Sequence, residues 1–294
     1  MSQSSNFILL GLAPVFLGCI ALEAWYLRRR AIRSYSWADV GSNATLALMQ
    51  QAGSLLVAAP LLLLMQRVHA HRLFDLPPAW PTLALLVVTQ DLAYYWQHRA
   101  SHRIRWMWAS HVTHHSSSRL NLSTAFRQSL TYPVSGVWLF SLPLVWIGFT
   151  PTQVVAMGAL NLAYQFFVHT EVVGHLGWLE AVMNTPSHHR VHHASNDGYL
   201  DRNYAGIFIV WDRLFGTFTP ERERCVYGLV HPLHSHNPLW LTFHEWIAMG
   251  RDAGHARGVR GRLLQLFGPP ERALGSAAPT DAPAAAEQTP LSAR

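Results

Sequence analysis

Charged residues are scarce in this chain, at 13% of 294 positions, whereas ordinary soluble domains carry roughly 25%. Half of the residues are hydrophobic, and a chain so rich in apolar and poor in charged residues is typical of a membrane protein. The net charge of +6 would suit nucleic acid. However, arginines interleaved with apolar runs are more typical of the positive-inside rule at lipid headgroups, so we do not expect a nucleic-acid partner.

The sequence also lacks the motifs of several enzyme classes. It has two cysteines, Cys19 in an apolar run and Cys225 in a polar segment, which form neither a CxxC pair nor a disulfide framework. It contains no HExxH motif, which disfavours a zincin-type peptidase. It also carries no dinucleotide-binding fingerprint, flavin motif or haem-attachment CxxCH. Electrons for any redox reaction must therefore come from a separate protein or a small diffusible donor.

Histidine, by contrast, is abundant, with 18 residues, half of them in three clusters that read HRASH, HVTHH and HHRVHH. These are His98, His102, His111, His114, His115, His188, His189, His192 and His193. Imidazole is the commonest protein ligand for a metal, and so many rings exceed what one ion can use. The clusters therefore predict a multi-histidine centre with two metal ions.

The spacing within each cluster fits a helix. Residues three and four apart lie on one helical face, so HxxxH and HxxHH should each direct their rings toward a common point. Many neutral imidazoles with few carboxylates favour iron, zinc or copper over magnesium or calcium. Iron is the productive choice because zinc cannot change its redox state. Two iron ions beside a bilayer would activate O2 for attack on a C–H bond.

Long apolar runs predict the membrane topology. Residues 7–27 suit one crossing, and the arginines that follow place the C-terminal end of this anchor in the cytoplasm. Runs at about 44–65 and 80–97 suit two more crossings or a re-entrant hairpin, and residues 133–168 suit a hairpin of two helices. Counting crossings then puts every histidine cluster on the cytoplasmic face, in what we expect to be a bacterial inner membrane.

The predicted fold is an all-α, polytopic membrane bundle of about four to five membrane helices, with a cytoplasmic helical cap that holds the di-metal site. Residues 1–79 would form N-terminal membrane helices and a connecting loop. Residues 80–265 would form the histidine-box catalytic domain with its membrane hairpin. Residues 266–294 are rich in alanine and proline, and we expect this tail to be disordered.

Four further residues are candidates for the site. Asp91 is an ionisable group within an apolar run, which makes it either a functional residue or a carboxylate bonded to a neighbouring helix. His169 ends the last apolar run and is the best candidate for an additional ligand. Glu171 and His175 follow it as possible ligands or as partners that hold a ligand.

The three clusters, in this order and with a two-helix insertion before the third, resemble the fatty-acid hydroxylase and sterol desaturase superfamily of integral-membrane di-iron enzymes. The similarity covers roughly residues 80–235. The segments DLAYYWQHRASH, WASHVTHHSSSRLNLSTAFRQS, FFVHTE, NTPSHHRVHHASN and VYGLVHP are most similar to the alkylglycerol monooxygenase family and its bacterial relatives. The resemblance implies eight core metal ligands, with His169 as an additional one: His98, His102, His111, His114, His115, His189, His192 and His193.

The same resemblance suggests supporting roles for a few more residues. His188 would be a ligand or a partner that fixes a neighbouring ring, and His231 would lie near a ligand or the substrate. Asn121, Ser123 and Arg127 would meet a polar headgroup or cofactor, or else serve capping and packing.

The leading functional hypothesis is an O2-dependent di-iron oxidoreductase that hydroxylates, or desaturates, a membrane lipid or sterol-like substrate. It would use two iron ions, O2 as co-substrate and an external electron donor. One alternative is an alkylglycerol ether-lipid monooxygenase that uses a tetrahydropterin. Another is a membrane metal transporter or metal-binding protein, which should place its ligands near the bilayer midplane on broken helices.

Overall fold

The structure, a computed structural model, describes residues 3–30 and 35–273; its regular elements in these ranges are all helices, apart from two isolated β-bridges. The predicted all-α class is therefore confirmed. The α-helices are α1 (Gln3–Arg29), α2 (Trp37–Ala70), α3 (Trp80–Arg103), α4 (Arg105–His115), α5 (Tyr132–Ser135), α6 (Leu142–Ile147), α7 (Pro151–Val168), α8 (Pro186–His193), α9 (Val210–Leu214), α10 (Pro238–His255) and α11 (Gly258–Phe267). Short 3-10 helices span Leu122–Phe126, Val137–Ser141, Gly177–Ala181 and Pro270–Arg272.

Two helices are long and apolar enough to cross a membrane: Gly11–Arg29 within α1, and α2. The most apolar 18 residues of each have mean hydropathies of 1.2 and 1.7, and only 17% and 11% of those 18 residues are buried by the rest of the chain. Apolar surface left uncovered by protein suits contact with lipid. They correspond to the first two predicted crossings, while the larger number of four to five stays a prediction.

The predicted hairpin at 133–168 differs from the structure in its first arm. That arm is broken into α5, the 3-10 helix Val137–Ser141 and α6, because Gly136 adopts a φ of +88° that ends α5. The second arm is the continuous helix α7, and Pro151 is its first residue. Thr150 and Gln153 form a capping box at this end.

Contacts between α1 and α7 relate the histidine clusters to the basic end of α1. The rings of Phe16 and Phe166 lie 4.3 Å apart, and the buried carboxylate of Glu23 accepts a hydrogen bond from the hydroxyl of Thr170. The contact nearer the C-terminus on α1 is also the one nearer the C-terminus on the α7 side. The two helices α1 and α7 therefore run in the same direction. His169, which follows α7, therefore lies toward the arginine-bearing end of α1.

Asp91 anchors the segment before α9 onto α3. Its fully buried carboxylate accepts hydrogen bonds from the backbone N–H groups of Ile207 (2.7 Å) and Phe208 (2.9 Å). The side chains of Asn161 and Trp211 also donate to it, each at 2.9 Å. Of the two alternatives for Asp91, these contacts match a carboxylate bonded to neighbouring parts of the fold. Asp91 belongs to neither histidine group of the candidate metal centre.

Helices α10 and α11 pack beside α4, which carries the second histidine cluster. The buried guanidinium of Arg105 at the start of α4 pairs with Glu245 (2.7 Å) and Asp252 (2.8 Å) of α10. The backbone N–H of Arg105 donates to the carbonyl of Gly268 at 3.0 Å. The described chain ends shortly after α11, and residues 274–294, most of the predicted tail, lie outside the described residues.

Packing around Asp91 generates a stability prediction. A Cβ at Gly206 would lie 2.6 Å from Asn161 Oδ1 and 2.7 Å from Asp91 Oδ1. We therefore expect Gly206→Ala to lower the free energy of unfolding by about 1–3 kcal/mol, the usual range for overpacking. A thermal unfolding curve of the detergent-solubilised protein measures this change.

The matched control is Gly254→Ala within α10, where a Cβ would meet nothing within 4 Å. That substitution should leave the unfolding temperature unchanged or raise it, because alanine is favoured over glycine inside a helix by about 0.5–1 kcal/mol. Equal effects of the two substitutions would contradict the packing account.

Candidate metal centre

Nine buried histidines come together in two groups that could each hold a metal ion, and within each group the ligand atoms all lie within 4.8 Å of one another. The five-histidine group consists of His98, His102, His111, His115 and His192. The four-histidine group consists of His114, His169, His189 and His193. These are the nine residues that sequence analysis offered as ligands; their role in binding a metal stays a prediction.

The helices divide the second and third clusters between the two groups. On α4, His111 and His115 are one turn apart and enter the five-histidine group, whereas His114 enters the four-histidine group. Adjacent residues are rotated by about 100° on a helix, so neighbours such as His114 and His115 cannot share one centre. The expectation that each cluster converges on a single point was therefore wrong. Helix α8 shows the same division, with His192 in the five-histidine group and with His189 and His193 in the four-histidine group.

The separations between ring nitrogens match the spacing of neighbouring ligands on one ion. Two nitrogens that bind a metal at about 2.1 Å and at right angles lie about 3.0 Å apart. The observed Nε2 to Nε2 distances are His98 to His111 3.0 Å, His111 to His115 3.1 Å, His114 to His169 3.1 Å, His169 to His189 2.9 Å and His189 to His193 3.1 Å. Both groups are therefore compact enough for direct coordination.

In several rings the outer nitrogen, Nδ1, which faces away from the group, forms a hydrogen bond that determines which ring nitrogen carries the proton. Nδ1 of His98, His169 and His192 lies 2.7–2.9 Å from a backbone carbonyl, which can only accept. These Nδ1 atoms therefore carry the proton, and the Nε2 of each ring directs an unprotonated lone pair toward the other rings of its group. A cation would satisfy such converging lone pairs.

Two of the inner nitrogens have no hydrogen-bond partner among the described residues. They are Nε2 of His102 and Nε2 of His192, both buried in the five-histidine group. An unsatisfied buried acceptor costs about 1–3 kcal/mol, and coordination to a metal would remove that cost. The donor set, made of neutral imidazole nitrogens, fits a transition metal.

Burial favours the neutral form of several rings in the two groups. It is the largest cause that lowers the pKa of His111, His115 and His193 well below the usual 6.5, and neighbouring histidines lower it further. Burial also lowers the pKa of His169 to about 4, although its hydrogen bond to the carbonyl of Gln165 opposes the shift. These four rings therefore need not lose a proton before they bind a metal at pH 7.

Arg127 holds the polypeptide around the four-histidine group. It is 1% exposed, and its Nε donates to the Thr113 carbonyl (3.1 Å) and to Ser116 Oγ (2.9 Å). Its NH1 donates to Asn43 Oδ1 (3.0 Å), and its own carbonyl lies 3.2 Å from His114 Nδ1. Of the two roles that the sequence left open, these contacts match packing and not the binding of a headgroup or cofactor.

Asn121 and Ser123 are likewise used by the fold. Asn121 caps the 3-10 helix Leu122–Phe126, and its side chain accepts from the backbone N–H of Ser123 at 3.1 Å. The hydroxyl of Ser123 accepts from the side-chain amide of Asn43 on α2 at 3.1 Å. The two residues thus join this helix to α2, and a cofactor-binding role finds no support in their contacts.

The remaining candidates lie outside both histidine groups. His188 is buried with Nε2 4.0 Å from Glu180 Oε2, and the exposed His175 places Nδ1 3.1 Å from the same oxygen. His231 is exposed and Glu171 is half-buried. His188 is therefore adjacent to a member of the four-histidine group, His189, without belonging to either group.

Sequence reasoning missed the partners of the outer nitrogens. His111 Nδ1 lies 2.6 Å from the hydroxyl of Tyr132, and His102 Nδ1 lies 3.4 Å from a carboxylate oxygen of Asp201. Neither residue belongs to a recognisable motif. A signal existed only for Asp201, because an acidic residue shortly after the third cluster is a common kind of support for a metal-binding histidine.

Comparisons with known proteins identify similar sequences. The family model described as fatty acid hydroxylase matches residues 83–217. The chain is 49% identical to alkylglycerol monooxygenase of Homo sapiens over 67% of this chain and 44% of that protein. It is 51% identical to the Danio rerio protein of the same name over 64% of this chain and 42% of that protein. Identity to ornithine lipid hydroxylase OlsE of Rhizobium tropici is 28%, over 48% of this chain and 44% of that protein.

The chain thus spans less than half the length of these curated relatives. No solved structure matches it significantly.

Metal content tests the grouping. We expect His189→Ala to lower bound metal by about one ion per chain, because Nε2 of His189 contacts both His169 and His193 within the four-histidine group. Elemental analysis by mass spectrometry of the purified protein measures the ratio.

The control is His175→Ala, a nearby exposed histidine outside both groups. It should retain the wild-type metal content. If both substitutions removed the same amount of metal, the assignment of ligands to these groups would be overturned.

Proposed function

We propose that this chain, whose residues 83–217 match the fatty acid hydroxylase family model, is an O2-dependent di-iron monooxygenase that hydroxylates a membrane lipid. The observation that carries this proposal is the convergence of nine buried histidines in two compact groups. Two iron ions in these groups would supply the redox chemistry that reduces O2 and places an oxygen atom on a C–H carbon. Hydroxylation consumes O2, two electrons and two protons and releases one water molecule.

The residues of the chain supply the environment for this chemistry. Backbone carbonyls hold the outer nitrogens of His98, His169 and His192, so these rings keep one orientation. Burial of all nine histidines limits the access of bulk water, which protects a reactive oxidant from unproductive reactions. The electrons would come from a separate protein or a small reductant.

The substrate class follows from the surroundings of the site. Helix α2 and most of α1 expose apolar surface that suits lipid, and the histidine groups lie toward the arginine-bearing end of α1. We propose that this end faces the cytoplasm of a bacterial inner membrane, in accord with the positive-inside rule. A lipid in that leaflet would then be within reach of the site. We also propose that α3 and α7 enter the bilayer, which would complete the four or so membrane helices.

A second candidate function is cleavage of ether lipids, with a tetrahydropterin as the reductant. The specific observation in its favour is 49% identity to a protein named alkylglycerol monooxygenase. Hydroxylation of the carbon next to an ether oxygen yields a hemiacetal, which splits into an aldehyde and an alcohol. A metal transporter is disfavoured because the histidines lie on and beside continuous helices and not along breaks in α1 or α2.

Isotope labelling tests both candidates. The iron-loaded protein in lipid nanodiscs is supplied with 18O2 and either an alkylglycerol with a tetrahydropterin or an acyl phospholipid with a reduced ferredoxin. We expect one 18O atom in a hydroxylated lipid or in the aldehyde released from the ether. Mass spectrometry of the extracted lipids identifies the product.

The two arms separate the candidates, because an aldehyde formed only in the first arm indicates an ether-lipid enzyme. His175→Ala serves as the active control. An iron-loaded protein that incorporates no 18O in either arm would refute the proposed activity.

A further inference from the structure

A short segment between α8 and α9, residues 201–204, has an unusual backbone. Asp201 and Asn203 adopt φ values of +59° and +55°, in the left-handed region that most residues avoid. Aspartate and asparagine tolerate this region better than other side chains. In this segment a residue with positive φ alternates with an ordinary one, which reverses the direction of successive peptide groups. Several hydrogen-bond acceptors of the segment can therefore point to the same side.

Those acceptors meet the five-histidine group. The segment provides a partner for the outer nitrogen of three of its five rings. The contacts are Asp201 Oδ1 to His102 Nδ1 at 3.4 Å, the Arg202 carbonyl to His192 Nδ1 at 2.9 Å and the Tyr204 carbonyl to His98 Nδ1 at 2.8 Å. One loop thus orients most of one candidate metal site.

The four-histidine group is supported from other parts of the chain. His114 Nδ1 lies 3.2 Å from the carbonyl of Arg127, and His169 Nδ1 lies 2.7 Å from the carbonyl of Gln165. These two carbonyls belong to the polypeptide after α4 and to α7. A change at residues 201–204 should therefore act on one group and spare the other.

The segment is itself held firmly. The side-chain amide of Asn203 donates to the carbonyls of His188 (3.0 Å) and Thr219 (2.8 Å). The buried carboxylate of Asp212 accepts from the backbone N–H groups of Tyr204 and Ala205, both at 2.8 Å. A rigid loop can hold the rings in position, as a flexible loop could not.

Within this loop, Asp201 differs from the carbonyls in being an anion. Its Oδ2 accepts from Arg103 NH1 at 2.5 Å, and its Oδ1 lies 3.4 Å from His102 Nδ1. A carboxylate on the outer nitrogen of a metal-bound imidazole fixes its tautomer and strengthens it as a donor. His98 and His192, which face carbonyls, lack this effect.

We infer that Asp201 is a positioning residue that sets the metal affinity of the five-histidine group through His102, without affecting the four-histidine group. This inference rests on the proposed function for the identity of the metal. It makes the two metal positions chemically unequal, because only one of them has a ligand backed by Asp201.

The test compares Asp201→Asn with the wild-type protein, both loaded with 57Fe. Asparagine keeps the shape of the side chain and tolerates the positive φ, but it removes the charge. Chelator competition should show that one of the two iron ions binds about 10–100-fold more weakly, the usual effect of losing such a partner. Mössbauer spectra should show a change in one iron signal and an unchanged second signal.

Two further variants control for folding and for the salt bridge. Asp201→Gly, which accepts the backbone conformation without strain, should give the same selective loss. Arg103→Gln removes a half-exposed partner of Asp201, and such exposed pairs contribute little, so both iron ions should keep wild-type affinity. Retention of the iron in the four-histidine group reports that each variant is folded.

The outcomes separate the inference from the proposed function. Wild-type protein that binds no iron would refute the proposed function. If the wild type binds two ions, the inference about Asp201 is overturned when Asp201→Asn binds both ions with wild-type affinity or loses affinity for both equally. It is also overturned when Arg103→Gln shows the same selective loss of affinity as Asp201→Asn.

Discussion

The rest of this structure depends on one electrostatic constraint, the convergence of imidazole lone pairs at separations of 2.9–3.1 Å inside a buried core. Bare lone pairs that face each other in this arrangement repel one another unless a cation or a ring proton lies between them, and burial disfavours protonation. The polypeptide must therefore hold the rings against this repulsion until a metal binds. Metal binding and the stability of the fold are coupled for the same reason.

The polar residues that surround the histidines meet this requirement. Arg127 ties the polypeptide after α4 to α2, Asp91 fixes the approach to α9, and Glu23 of α1 accepts hydrogen bonds from Leu122 and Thr170 on two other segments. None of these side chains belongs to either histidine group. Each one forms its hydrogen bonds with backbone or side-chain groups of the fold. The helices that suit the bilayer are thus joined to the candidate metal centre by buried polar contacts.

Much of the site could be predicted from sequence, because helical spacing and the abundance of histidine identify eight of the nine residues that the structure groups, and the ninth, His169, was a candidate from its place at the end of an apolar run. The clusters also contained His188, which the structure leaves outside both groups. The division between two groups was missed, although it follows from the rotation between His114 and His115 on α4. The support for the rings was beyond prediction, since carbonyls such as that of Tyr204 carry no signal in a side-chain sequence. The broken first arm of the hairpin was missed because a single residue, Gly136, interrupts an otherwise uniform apolar run.

The central claim is that the two histidine groups are two metal positions of one site. Anomalous diffraction at the iron absorption edge, from crystals of the iron-loaded protein, tests it directly. The account predicts two anomalous peaks, one enclosed by the five-histidine group and the other by the four-histidine group. A single peak, or a peak outside these nine side chains, would contradict it.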